Sequence, residues 1–156
     1  MSRVVVNEIE AKVGNDITFN DTVKISTAQI DTVRGKTTAG SITVQGEGTA
    51  TTNLQQGLAK AWVNIDGSGT VSFQGSFNTS SLSDDGSGKY TSSFSNDFGN
   101  VNYSFTYCGA ESGNETTYQM GSATMAVGSH QVQLKNAAGT VTDRNYICGT
   151  FHGDLA

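Results

Sequence analysis

The chain has no proline in 156 residues. Every reversal of direction must then be made by glycine, asparagine, aspartate or serine, and no segment has the composition of a stiff proline linker. Helix formers are scarce, so helix is nearly excluded. No apolar run approaches the roughly 20 residues that a membrane-spanning helix needs. The N-terminal MSRVVVNEIE carries one basic residue and a three-valine run, too short for a signal-peptide core. No membrane insertion is expected, and a route out of a cell would have to be another one, such as release at lysis. Basic residues are also few. Through Lys36 they balance the acids five to five, but from Gly57 on only Lys60, Lys89, Lys135 and Arg144 face eight acids, and the formal charge is −5. A nucleic-acid partner needs a basic stripe to neutralise phosphates, and there is none.

Groups that do chemistry are equally sparse. The two cysteines, Cys108 and Cys148, belong to no CxxC unit, and a zinc site would need further nitrogen or sulfur ligands at suitable spacing. Two buried free thiols are expected, since unpaired cysteine behaves as a small apolar residue. His130 and His152 are the only histidines. Cys148 and His152 share one face of an expected strand, but four strand residues span about 13 Å, beyond the reach of a thiol and its base. Asp84 and Asp85 are adjacent and point apart on extended backbone, unlike a glycosidase pair. Their DDGSG turn lacks the alternating oxygen ligands and later glutamate of a calcium loop. Glu8 and Glu10 have no third ligand. The sequons at Asn20, Asn78 and Asn114 are expected by chance in so Asn- and Thr-rich a chain. The sequence thus gives no catalytic residue, no metal site and no cofactor, it singles out no binding residue, and it supports no enzyme.

What the chain does have is glycine, 19 residues of it, together with alternation. Between Gly57 and Asp97 three alternating runs are separated by the turns DGSG (Asp66 to Gly69) and DDGSG (Asp84 to Gly88). Period-two polarity marks strands, and Asp-Gly and Ser-Gly steps supply the positive φ of tight hairpins. The stretch predicts an antiparallel meander. Ala59, Ala61, Val63 and Ile65 share one face, with Leu58, Lys60, Trp62 and Asn64 on the other. Trp62, the lone tryptophan, is expected under a second sheet of the same chain, with a neighbouring subunit as the alternative cover. Val71, Phe73, Gly75 and Phe77 are expected together on one face.

The motifs AKAWVNIDGSGT, SFNTSS, GSGKYT and NYSF, in this order, resemble a module near the C-terminus of bacteriophage tail-fibre and related virion proteins. The likeness covers Leu58 to about Phe105, with a looser one in GSITVQGEGTATTNLQQG. Thr79 stands where the family pattern has valine. The resemblance implies a virion structural protein, assembled in the host cytoplasm and homotrimeric. Its N-terminal arm would join other virion proteins, and its β domain would adhere to host-surface carbohydrate or protein. A capsid decoration or head-fibre protein is the alternative, and a monomeric carbohydrate-binding domain a third reading. Assembly in a reducing cytoplasm implies that folding needs no disulfide.

The rest of the chain fits a β protein. DITFNDTVKI (Asp16 to Ile25) alternates in short pieces that cannot bury a face alone, which suits either an intertwined trimer or an edge hairpin. A short strand is expected around Ser41 to Gln45, with the boundary nearby. Two parts follow, an N-terminal oligomerisation or anchoring arm over 1–56 and a β domain over 57–156. Val101, Tyr103, Phe105 and Tyr107 form one strand face. Thr117 to Val127 needs a bulge at Gly121 or Ser122 to stay in phase, and strands follow at His130 to Leu134 and Tyr146 to Phe151. Tyr90, Tyr103, Tyr107, Tyr118 and Tyr146 are candidate stacking faces, more of them expected in the core. The fold class is all-β, an antiparallel β-sandwich or jelly-roll-like domain preceded by a short β-rich N-terminal arm.

Overall fold

The computed structural model describes residues 26–35, 42–45, 48–110 and 119–156. The chain divides into two units, Met1–Val33 and Arg34–Ala156. In the first unit the described residues, 26–33, are irregular and exposed. The alternating segment Asp16 to Ile25, the Glu8 and Glu10 pair, the sequons at Asn20 and Asn114, and Tyr118 lie outside the described residues.

The regular structure among the described residues of the second unit is almost wholly strand. In chain order the elements are β1 (Thr43–Gln45), β2 (Thr51–Asn53), the single-turn helix α1 (Leu54–Gly57), β3 (Ala61–Asp66), β4 (Ser72–Phe77), β5 (Thr79–Asp84), β6 (Lys89–Phe94), β7 (Ser104–Ala110), β8 (Gln119–Ala126), β9 (Ser129–Lys135) and β10 (Tyr146–His152). Asn53 caps α1 by accepting from the Gln56 amide at 3.1 Å. A helix that short has no stability of its own. β1 and β2 pair as a separate hairpin, while β4-β3-β10-β7 and β5-β6-β9-β8 form two four-stranded antiparallel sheets. Their inner faces meet in one core, with Ala61, Val63, Ile65, Ile147 and Phe151 from the first sheet and Tyr90, Phe94, Val132 and Leu134 from the second. The protein is an all-β sandwich, and the alternation of β3 and β6 follows from having one buried and one open face.

The Gly57 to Asp97 stretch is not a meander. β3 pairs with β4 and β5 with β6, but β4 and β5 belong to different sheets. The chain crosses from one layer to the other at Asn78, whose φ of 56° lies in the left-handed region that asparagine tolerates better than most residues. Its side chain is fixed there. The carboxamide oxygen accepts from the Asn96 amide at 2.8 Å, and the nitrogen donates to the Asn96 carbonyl at 3.1 Å.

A second departure lies within β4. Phe73 stands opposite Ile65 and Gly75 opposite Asn64, so Gln74 is an extra residue, a bulge, and the phase flips there. Val71 and Phe73 pack on the core as expected. Gly75 and Phe77 turn outward instead, with Phe77 paired to Trp62 and 54% exposed. Val101 also leaves its expected face, because it precedes β7 in a bend and is exposed, whereas Tyr103, Phe105 and Tyr107 do face inward. In β8 the register shifts between Met120 and Ser122, as the sequence suggests.

The two glycine turns are joined by one loop. The Asp143 carboxylate accepts from the Gly88 amide at 2.6 Å and from the Tyr90 hydroxyl at 2.9 Å, while the Gly67 amide donates to the Arg144 carbonyl at 2.8 Å. Burial, and after it Asp143, keep the Tyr90 phenol protonated well above its ordinary range. Asp84 caps its own turn by accepting from the Gly86 amide at 3.0 Å, and Asp85 accepts from Thr91 and Gln131. The bond from Thr91 holds the Asp85 carboxyl below the usual carboxylate range. These bonds account for Asp84 and Asp85 as turn and rim residues.

His130 is fully buried at the centre of the sandwich, ringed by Tyr103, Phe105, Tyr107 and Phe151 at centroid distances of 5.9, 4.3, 5.4 and 5.1 Å. Its Nδ1 lies 3.3 Å from the Tyr103 hydroxyl, and its Nε2 has no hydrogen-bond partner. Desolvation pushes its pKa down to about 4. The unfolded chain protonates this residue near 6.5, so below that pH the unfolded state holds the extra proton and stability falls until about pH 4. The expected loss is about 2 kcal/mol, less than the roughly 1.4 kcal/mol per pKa unit would give, because Tyr103 can accept from an imidazolium. Urea unfolding at a series of pH values checks this. His130→Phe should flatten the slope between pH 6.5 and 4, and a slope that survives would place the titration elsewhere.

Candidate functional site

The outer face of β4-β3-β10-β7 is arranged in rows, because residues directly opposite on antiparallel strands share a face. One row runs Phe77, Trp62, Thr150, Thr106, and the next runs Gly75, Asn64, Cys148, Cys108. No charged side chain occurs in either row. β3, β10 and β7 send these residues outward for the same reason, namely that their neighbours Val63, Ile147, Gly149, Phe151 and Tyr107 are drawn into the core. A shallow concavity of about 360 Å³ opens over the two rows, lined by Trp62, Asn64, Thr106, Cys108, Cys148 and Thr150. Its floor is formed partly by Gly149.

Trp62 is 41% exposed. The second sheet of the same chain, expected to cover it, packs on the opposite face of β3. The indole lies over Gly75 instead, where an added Cβ would stand 3.3 Å from the six-membered ring. Small residues beside a large aromatic on a neighbouring strand let the ring lie down against the sheet, and here the β4 bulge is what brings Gly75 beneath it.

The cysteines are likewise exposed rather than buried. Both are free and stand opposite each other on β7 and β10. Strand phase explains the correction, since the large inward residues Phe105, Tyr107, Ile147 and Phe151 fix the alternate positions outward. The Cys148 thiol lies 3.8 Å from the Asn64 side-chain oxygen, and burial, then Cys108, raise its pKa. His152 is four residues along β10 from Cys148 and pairs with Ser104, so thiol and imidazole are not brought together.

A second concavity, of about 400 Å³ and more polar, lies where α1, the segment before β7 and the end of β10 meet. Gln56, Asn100, Asn102, Ser104, His152 and Asp154 line it. Gln56 donates to Asp154 across it at 3.4 Å. Of the candidate stacking tyrosines among the described residues, Tyr90 and Tyr103 are buried, Tyr107 is partly buried and Tyr146 is open, at 53% exposure. Among the described residues no group of three or more His, Cys, Asp or Glu is placed to hold a metal ion, and no helix is long and apolar enough to cross a membrane.

Comparison of the chain with protein-family models, with curated proteins and with solved structures gives no match.

The sequence pointed to Trp62 as the odd residue of β3 and put Asn64 on its face, but did not point to its other companions. Thr106 and Thr150 carry no signal of their own, and only cross-strand register between segments far apart in the chain assembles them with Trp62. His130 was readable. It is in phase with Val132 and Leu134, which is the mark of a core position.

Proposed function

We propose that this chain is a structural protein of a phage particle, a homotrimeric tail fibre or appendage whose β domain adheres to the host surface. The segment ahead of the sandwich joins it to other virion proteins. The reading is one of binding rather than catalysis. Its main structural support is the uncharged outer face, on which the Trp62 indole lies open beside Asn64, Thr106 and Thr150. An aromatic plane takes the apolar face of a sugar ring, and neutral amide and hydroxyl groups at its border take the hydroxyls. The concavity is near the low end of ligand-site volumes, which suits a weak contact to one or two sugar units. Three copies on one fibre would multiply such a contact into firm attachment without any new interaction.

Binding of the whole chain to envelope fragments of the host bacterium tests the contact. Trp62→Ala is expected to weaken retention about 30-fold, the loss typical of an interface anchor, while changing stability by only about 1 kcal/mol because the ring is open to water. Equal retention of the variant would remove this face from the contact. Gold-labelled antibody on intact particles is expected to mark tails. Label on the shell would favour a decorating role, and unlabelled particles would overturn the virion assignment.

A further inference from the structure

Cys108 and Cys148 are the chain's two cysteines, and they are in register on neighbouring antiparallel strands, on the same exposed face. Residues paired in this way have Cα atoms about 4.5 to 5.5 Å apart. A disulfide needs roughly 4.4 to 6.8 Å, so the backbone already has the separation that closure requires. The sheet holds the two positions together whether or not a bond forms, since the pairing of β7 with β10 extends on both sides, from Ser104 with His152 to Ala110 with Tyr146. Burial, and after it the facing Cys108, raise the pKa of the Cys148 thiol. Neither row of this face carries a cation that would activate a thiolate, so the pair persists as a dithiol until an oxidant arrives.

We propose that Cys108 and Cys148 form a covalent modification site, a cross-strand dithiol that takes low-molecular-weight disulfides as its substrate and closes to a disulfide on the outer sheet. The chemistry is thiol–disulfide exchange. One cysteine thiolate attacks a sulfur of the external disulfide RSSR, the S–S bond breaks, and RS⁻ leaves with the electron pair and takes a proton from water. The facing cysteine loses its proton to solvent and attacks the protein sulfur of the mixed disulfide, expelling the second RS⁻. Two protein thiols are thereby oxidised by two electrons and one RSSR is reduced to two RSH. The dithiol form belongs to a reducing compartment and the closed form to oxidising surroundings. The site rests on register and exposure, and it stands whether or not the face binds a host sugar.

The test treats the intact, folded chain with oxidised glutathione at mildly alkaline pH and reads the intact mass. The wild-type chain is expected to end lighter by two hydrogens, with no adduct, no alkylatable thiol and a raised melting temperature. Cys108→Ser and Cys148→Ser, each with no facing thiol, should each end carrying one glutathione. A wild-type chain that ends with two glutathiones, that cross-links to a second copy, or that keeps both thiols free would overturn the proposal.

Discussion

Phe151→Ala is expected to lower the stability of the sandwich by about 3 to 5 kcal/mol, read as a shift of the urea midpoint at unchanged slope. Phe151 is fully buried on β10 and makes edge-to-face contacts with Phe94 at 5.2 Å and Tyr107 at 5.6 Å, with Tyr103 at 6.2 Å and the His130 ring at 5.1 Å. Phe94 and His130 belong to the second sheet, so this one ring bridges both layers. Removing it leaves a cavity walled by other rings. Aromatic side chains have few ways to collapse into such a space, which places the cost in the upper part of the range for large-to-small changes. Against a typical net stability of about 5 to 15 kcal/mol, the variant should melt far below the parent. A change under about 1 kcal/mol would mean that the two sheets do not share this core.

Gly88→Ala is expected to cost about 2 to 5 kcal/mol, by a different route. Gly88 has φ of 62°, where an L side chain is strained by about 1 to 2 kcal/mol. A Cβ would also stand 2.8 Å from the Thr142 carbonyl oxygen, 2.8 Å from Val141 and 2.9 Å from the Leu134 carbonyl oxygen. Two of these obstacles are backbone and cannot swing aside, so overpacking adds about 1 to 3 kcal/mol. The displacement would also disturb the bond from the Gly88 amide to Asp143, and with it the Tyr90 hydroxyl that shares the same oxygen. Gly69→Ala is the control. It has the same φ, of 62°, but an added Cβ there meets nothing within 4 Å. The difference in thermal midpoint between the two variants isolates the clash, and equal midpoints would show that the loop does not pack on the turn.

Strand phase was legible wherever one face is buried without interruption. Ala61, Val63 and Ile65 were readable for that reason, as were Tyr103, Phe105 and Tyr107. Phe77 was not, because one inserted residue at Gln74 reverses every later position in β4, and polarity alone does not show an insertion among Ser, Gln and Gly. The transfer between sheets at Asn78 was hidden too. Alternation reports which side of a strand is buried but not which neighbours the strand has, and β4 and β5 alternate alike in either layer. The same limit concealed the site. Cys108 and Cys148 were weighed as small apolar residues by type, whereas their exposure follows from the large residues on either side of them, and their proximity follows from a pairing of β7 with β10 that no local pattern encodes.

The position of β10 has a consequence for how the molecule is made. It lies between β3 and β7 in the first sheet, although it is synthesised after the nine other strands among the described residues. At a ribosomal pace of about 10 residues per second, β7 waits several seconds for its hydrogen-bonding partner while the 36 positions from Ala110 to Tyr146 are added. Throughout that interval β3 has only β4 beside it, and the first sheet exists as two fragments with an open gap between them. The second sheet is closed in the same way, since β9 enters last between β6 and β8, but β5, β6, β8 and β9 are all complete by Lys135, before β10 begins at Tyr146. It therefore becomes the template on which the other layer condenses, with β10 as a keystone inserted last, and β3, made early and closed last, presents the edge open longest to wrong partners while the chain is still being made.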